Sequence, residues 1–286
     1  MGSMAIEDAG QTRGRPYDLA GADVDYPEWR GPPRRTLIIC TQQRCGSTLL
    51  GEAIFLAGGL GCPVEYLHPG FRPGFAARWK AADLQTYVAA LHRFRTAPSG
   101  TLAIKLFWRD IVDVAREFAP NEYASLSRFT PAPMSPTTHR GIFAIISGFL
   151  PNPTFVFLRR QDQIRQAVSL YRAVETQKWR KFADRTSRRD PIEPPHDFHR
   201  TFRVLATIQL HNAHWLDFFR ANEAPCYALN YEDLDQAYEP TLARFFAAIG
   251  RPGARIAPPR LRKQADAHSE KLVRQFIADV HKATRG

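Results

Sequence analysis

The chain reads as an α/β protein, a central parallel sheet with helices on both faces. Three observations lead there. Four short apolar runs, Thr36–Cys40, Thr101–Phe107, Thr154–Leu158 and Cys226–Asn230, have the length and near-continuous hydrophobicity of strands covered on both sides. Stretches of helical period separate them, the alternation that builds a parallel sheet. The first run also passes at once into a tight turn and a helix start, Thr41 to Leu50. In such sheets ligands sit beyond the carboxyl ends of the strands.

Taken in order, the first strand feeds a helix from Ser47 to about Ala57, which Gly58-Gly59-Leu60-Gly61-Cys62-Pro63 breaks. Val64 to Pro69 is a short extended piece, and Asp83 caps a helix that runs to Phe94. After the second strand, Pro131, Pro133 and Pro136 mark a loop before a helix that ends near Leu150. Pro151-Asn152-Pro153 leads into the third strand, and Gln161 to Trp179 is helical. Arg180 to Pro195, rich in Arg, Asp and Pro, reads as a mobile loop. A long helix from Phe198 to Asn222, the fourth strand, a helix over Glu239–Ile249 and a basic helical region from about Asp266 complete the chain. No repeat or low-complexity segment interrupts it.

With 286 residues, 44% hydrophobic and 23% charged, the composition is that of a globular protein able to bury a substantial core. Residues 35–286 are expected to form one domain. Residues 1–34, polar and rich in Gly and Pro, are expected to form a loose arm, with a cloning scar over 1–3 and a natural start at Met4. The formal net charge of +11 suits a phosphate-rich ligand or an anionic surface and leaves room for peripheral membrane contact. No RNA-binding motif or basic recognition helix accompanies it, so no nucleic-acid partner is expected. Four cysteines without a Cys-x-x-Cys pair indicate neither a disulfide framework nor a zinc site. Together with the lack of a signal peptide or a span-length apolar run, they point to a cytoplasmic protein.

The turn after the first strand carries the chemistry. Arg44-Cys45-Gly46-Ser47-Thr48 opens a helix, where converging backbone N–H groups and the helix dipole favour an anion. A Walker loop would place Gly-Lys before its Ser or Thr, the Lys on the outer phosphates and the hydroxyl on magnesium. Here there is no such Lys, and the third strand ends on Arg159-Arg160 where a Walker ATPase carries an acid. The plainer readings are a helix start capped by Ser47 or Thr48, and a solvated arginine pair.

The loop at Gln43 to Leu50, the segment Pro63-Val64-Glu65-Tyr66, Lys105-Leu106-Phe107-Trp108, the stretch Arg160 to Ala173 with Thr176 to Arg180, and Arg262 to Asp266 together resemble the bacterial trehalose 2-sulfotransferase family. Tyr231-Glu232-Asp233-Leu234 after a strand is common across sulfotransferases. The resemblance runs from about Arg35 to the C-terminus. It implies the P-loop-like sulfotransferase fold, 3′-phosphoadenosine 5′-phosphosulfate (PAPS) as co-substrate, and often a homodimer. It places Arg44, Cys45, Gly46, Ser47 and Thr48 on the 5′-phosphosulfate, and Arg160 and Ser169 on the 3′-phosphate. Lys263 and Gln264 match the segment that closes over the donor.

The resemblance also makes Glu65 the catalytic base. A sugar hydroxyl is a poor nucleophile, and a carboxylate in hydrogen-bond reach can take its proton. The plainer reading is a surface loop Glu. His68 is the competing base, otherwise a loop histidine. The pattern Leu67-His68-Pro69 departs from that of trehalose sulfotransferase, so the acceptor is left as a hydroxyl of a carbohydrate, a glycolipid, or another lipid or small metabolite. Lys105 either stabilises charge on the leaving phosphate or merely snorkels from a strand end. Trp179 either stacks on a ligand or packs.

His211 and His214, one helical turn apart, with His196 and His199 upstream, read as surface residues rather than metal ligands, and no metal is expected. Acceptor specificity is expected from the loops 66–78 and 180–195. The rival classes are a P-loop kinase, against which the absent Lys and strand-end acid speak, and a non-catalytic anion-binding module, which has no need of Glu65.

Overall fold

A computed structural model of the protein describes residues 18–126, 133–180, 193–261 and 265–285. Its four strands, β1 (Arg35–Thr41), β2 (Thr101–Phe107), β3 (Pro153–Arg159) and β4 (Cys226–Asn230), pair in parallel in the order β2-β1-β3-β4. The chain steps from β1 to one side for β2, then crosses to the other side for β3. That reversal opens a crevice at the carboxyl end of β1, the place where open α/β sheets bind ligands.

Between the strands run α1 (Ser47–Ala57), α2 (Arg72–Trp79), α3 (Leu84–Arg95), α4 (Trp108–Phe118), the short α5 (Pro120–Tyr123) and α6 (Pro136–Phe149). Then follow α7 (Gln163–Thr176), α8 (Phe198–Ala221), α9 (Tyr231–Gln236), α10 (Tyr238–Ala248) and α11 (Ala267–Ala283). Because side chains alternate along a strand, β1 serves two cores. Leu37 and Ile39 join Val156, Leu158 and Leu229 under α1 and α10. Ile38 and Cys40 join Ile104, Leu106, Phe155 and Phe157 under α3, α4, α6 and α8. The layering is the one expected, with helices on both faces.

The differences from the sequence reading have physical causes. The segment 66–78, expected as an acceptor loop, contains the start of α2, with Pro73 in its first turn, where a missing N–H costs nothing. Its Phe75 is buried, so part of this segment is core. The sequence reading leaves α4 unassigned, because it follows Phe107 with neither a break nor a side-chain cap. Its buried Trp108, Ile111, Val112 and Ala115 nevertheless have helical spacing. α7 stops at Thr176, where Gln177 adopts a left-handed backbone, so Trp179 lies beyond the helix.

The N-terminal arm is anchored over its described part, residues 18–34. Leu19 is buried, the Arg95 guanidinium donates to the carbonyls of Leu19 and Gly21 at 3.0 Å, and it pairs with Asp25 at 2.9 Å. A boundary at Arg35 therefore cuts through packed structure. Among the described residues no helix is long and apolar enough to cross a membrane.

His211 and His214 are not on the surface: both are buried. The His211 Nδ1 lies 3.2 Å from Gln42 Oε1, and the His214 ring stacks on Trp108 with centroids 5.1 Å apart. Among the described residues no three His, Cys, Asp or Glu side chains gather as a metal site. Burial, helped by the neighbouring His139, pushes the His214 imidazole from 6.5 down to about 4. An unfolded chain would take up that proton first, so this contribution to stability is complete above about pH 6.5 and is lost as pH falls towards 4. The fall in Tm between pH 7 and pH 5 should therefore be smaller in His214→Phe than in the wild type. Equal falls in thermal denaturation would place the acid sensitivity elsewhere.

Candidate active site

The turn after β1 is built around Gly46, which adopts φ +81° as the N-terminal cap of α1. A Cβ there would lie 2.6 Å from the Tyr231 ring, so both backbone and space require glycine. No side-chain cap bonds the first turn of α1. The N-cap is glycine, so neither Ser47 nor Thr48 stands at the capping position, and a helix start of this kind suits an anion. Ser47 is buried and Thr48 half-buried in that turn.

The Cys45 side chain points away from solvent. Its thiol is fully buried, 2.6 Å from Thr41 Oγ1 and 2.7 Å from the Gln42 carbonyl, and burial raises its pKa. The side chain belongs to the core.

Arg44 also has a left-handed backbone, φ +64°. Its Nε donates to Ser169 Oγ at 2.9 Å and its Nη1 to the Trp179 carbonyl at 2.5 Å. Arg44 and Ser169, which the resemblance assigns to different phosphates of the donor, are thus hydrogen-bonded to each other. Gln166 Nε2 makes a second tie from α7 to the loop, donating to the Gln43 carbonyl at 2.7 Å.

Arg160 lies over the Tyr231 ring, 4.8 Å from its centroid, so one tyrosine contacts both the anion loop and this guanidinium. The turn that presents Arg160 is fixed by Glu232, whose carboxylate accepts from the Gln161 and Asp162 N–H groups at 3.1 Å. Burial, then the charges of Arg160 and Arg180, pull the Arg44 pKa down from 12.5 to about 10. Three guanidiniums that repel one another around a helix N-terminus form a receptor for a polyanion. Arg180, Tyr231 and Glu232 carry no assigned role in the sequence reading. The aromatic-acid pair directly after a strand is the signal that could have marked the last two.

On the far side of β1, Lys105 and Glu65 form a buried ion pair, Nζ to Oε1 2.8 Å. Val64 bridges to Ile104 like a one-residue strand, and the Lys105 N–H donates to the Val64 carbonyl at 3.0 Å, which delivers Glu65 to the sheet edge. Lys105 does not snorkel: its side chain is 0% exposed. Glu65 is no surface residue either. Burial alone would raise its pKa, but the charges of Lys105 and Arg180 outweigh burial and hold the carboxyl below the ordinary carboxylate range. Its Oε2 is buried and accepts no hydrogen bond.

His68, the rival base, is buried and occupied. Its Nδ1 accepts from the Gly70 N–H at 2.9 Å, and its Nε2 contacts the Arg109 guanidinium. Trp179 is half-buried with its indole N–H unpartnered. Lys263, Gln264 and most of the 180–195 loop lie outside the described residues.

Gly46→Ala should test the anion loop. The added methyl strains a positive φ and strikes Tyr231, so a loss of about 1 kcal/mol or more is expected in chemical denaturation. Binding of adenosine 3′,5′-bisphosphate, followed by calorimetry, should fall with it. Unchanged binding would show that this turn does not hold the anion.

Comparison with known proteins fits this geometry. Trehalose 2-sulfotransferase of Mycobacterium tuberculosis (strain ATCC 35801 / TMC 107 / Erdman) is 26% identical over 271 residues, covering 86% of this chain and 96% of the relative. Trehalose 2-sulfotransferase of Mycolicibacterium smegmatis (strain ATCC 700084 / mc(2)155) is 23% identical over 262 residues, covering 86% and 95%. The model of the Stf0 sulphotransferase family matches residues 36–279, from the first residues of β1 into α11. The chain belongs to the Stf0 sulphotransferase family and is a sulfotransferase.

Proposed function

We propose that the protein moves the sulfuryl group of PAPS to a hydroxyl of a carbohydrate or glycolipid. The carrying observation is the Glu65 carboxylate, with one oxygen held by Lys105 at 2.8 Å and the other buried without a donor. A binding module gains nothing from such a group, whereas a transferase needs an oxygen that can receive a proton.

In this reading the N–H groups of Cys45 to Thr48 hold the 5′-phosphosulfate, with Ser47 and Thr48 hydroxyls beside them. Arg160 and Ser169 hold the 3′-phosphate, and Arg44 orients Ser169. Lys263 and Gln264 are assigned to the same donor by resemblance alone.

The acceptor hydroxyl gives its proton to Glu65 Oε2 as its oxygen bonds to sulfur, and the bond from sulfur to the donor phosphate breaks. Charge then grows on the departing phosphate, which the preorganised loop N–H groups, Lys105 and Arg180 stabilise. The sulfuryl group carries less charge than a phosphoryl group, so no step calls for a metal. The sugar acceptor rests on the relatives' names, both of which specify trehalose. Four free cysteines, three of them buried, support a reducing, cytoplasmic setting.

Sulfate transfer from labelled PAPS to trehalose and related sugars, with and without EDTA, tests the reaction as a whole. Transfer that survives EDTA is expected. Activity that is lost with EDTA and restored by magnesium would refute the metal-free step.

Glu65→Gln should lower kcat by about a hundredfold or more, the usual cost of removing a general base, with bisphosphate affinity little changed. His68→Ala should cost far less. The reverse ranking would move the base to His68.

A further inference from the structure

One buried acid is not used by the reaction described above. Asp110 lies in the first turn of α4, directly after the carboxyl end of β2. Its exposure is 0%, and neither of its oxygens accepts a hydrogen bond. Its Oδ1 is ion-paired with Arg109 Nε at 3.4 Å. Arg109 in turn contacts His68, and Asp110 lies within the electrostatic reach of Glu65 and Asp113. Burial, with those two acids, raises the Asp110 carboxyl from 3.8 to about 7 despite Arg109.

Buried polar atoms without partners are rare, because each forfeits its hydration for nothing in return. Two such carboxylates at one edge of a sheet, Glu65 and Asp110, ask for donors from outside the chain. A polyol supplies them, since neighbouring sugar hydroxyls are neutral, closely spaced and rich in O–H. A metal cation is the poorer occupant, because the Lys105 ammonium, the Arg109 guanidinium and Arg180 already bring positive charge to this edge.

We propose that Asp110 binds the acceptor, accepting a hydrogen bond from a sugar hydroxyl next to the one that Glu65 deprotonates. The assignment rests on the carbohydrate reading above. It makes α4, rather than only the loops, a determinant of acceptor choice.

The test compares the full-length wild type with Asp110→Asn and Asp110→Ala. It uses PAPS as donor and trehalose, maltose, sucrose and glucose as acceptor probes. The KM for the best acceptor should rise several-fold, up to about tenfold, in both variants, as expected for a lost hydrogen bond. Saturating kcat should change much less, and the Kd for adenosine 3′,5′-bisphosphate should stay the same. The Tm of unliganded Asp110→Asn should equal or exceed that of the wild type, because the amide is cheaper to bury than a carboxylate.

An unchanged acceptor KM would overturn the assignment and leave Asp110 as an acid satisfied by water. An Asp110→Asn chain that fails to fold would also overturn it, because the carboxylate would then serve the unliganded fold. A wild type that sulfates none of the sugars, while still binding the bisphosphate, would refute the carbohydrate reading and this assignment with it.

Discussion

The buried ion pair between Lys105 and Glu65 is the constraint around which the candidate site is organised. Two opposite charges at 2.8 Å, both withdrawn from solvent, are held there at a desolvation cost that their mutual attraction helps to offset. Removing either partner strands the other and typically costs about 3–5 kcal/mol. The pair therefore requires its scaffold to be in place. Lys105 stands opposite Ile39 on β2, the edge strand, and Glu65 is delivered by the bridge of Val64 to Ile104. The ammonium satisfies one carboxylate oxygen and leaves the second for chemistry, with the proton kept off by charge. Position and ionisation of the acid thus share one cause.

The donor side obeys a different balance. Arg44, Arg160 and Arg180 repel one another, and burial adds to the strain on Arg44. What keeps them together is a frame of neutral and acidic contacts: the Ser169 hydroxyl, the Trp179 carbonyl, the Tyr231 ring and the Glu232 carboxylate. Of these only Glu232 is charged, and it lies 4.0 Å from Arg160 Nε. Tyr231 couples the parts most tightly, since one ring sets the space for Gly46 and the platform for Arg160. A polyanion is the natural counterweight, and without one the arrangement stores repulsion.

The parts legible in the sequence were those set by local pattern. Continuous apolar runs marked all four strands, and the strand–turn–helix with its Gly and Arg marked the anion loop. Asp83, read as a helix cap, does accept from the Thr86 N–H at 2.7 Å. The parts that were not legible depend on tertiary partners. Nothing near Lys105 in sequence says that a carboxylate forty residues earlier neutralises it, so snorkelling stayed open. His211 and His214 looked like surface residues because helical spacing does not say which face a neighbouring Trp108 will cover. α4 was missed because it starts without a cap or breaker, and Asp110 with it. The structured part of the arm escaped because its anchors, Arg78 and Arg95, come from helices far along the chain.

Seen together, the two halves of the site are out of balance in opposite directions. The donor half gathers cations around unsatisfied N–H groups, and the acceptor half gathers carboxylate oxygens with no donors. Each imbalance suits one class of ligand, a polyphosphorylated donor on one side and a hydroxyl-rich acceptor on the other. Direct contact of the halves would cancel both, since arginines and carboxylates would then pair with each other. Lys105 prevents this by engaging one oxygen of Glu65 from within the sheet, while Arg44 is turned away towards Ser169 and Trp179. The charge of Arg180 acts on both Arg44 and Glu65. In the proposed transfer the sulfuryl group passes from the donor half to the acceptor half, and the Arg180 charge acts on a residue of each.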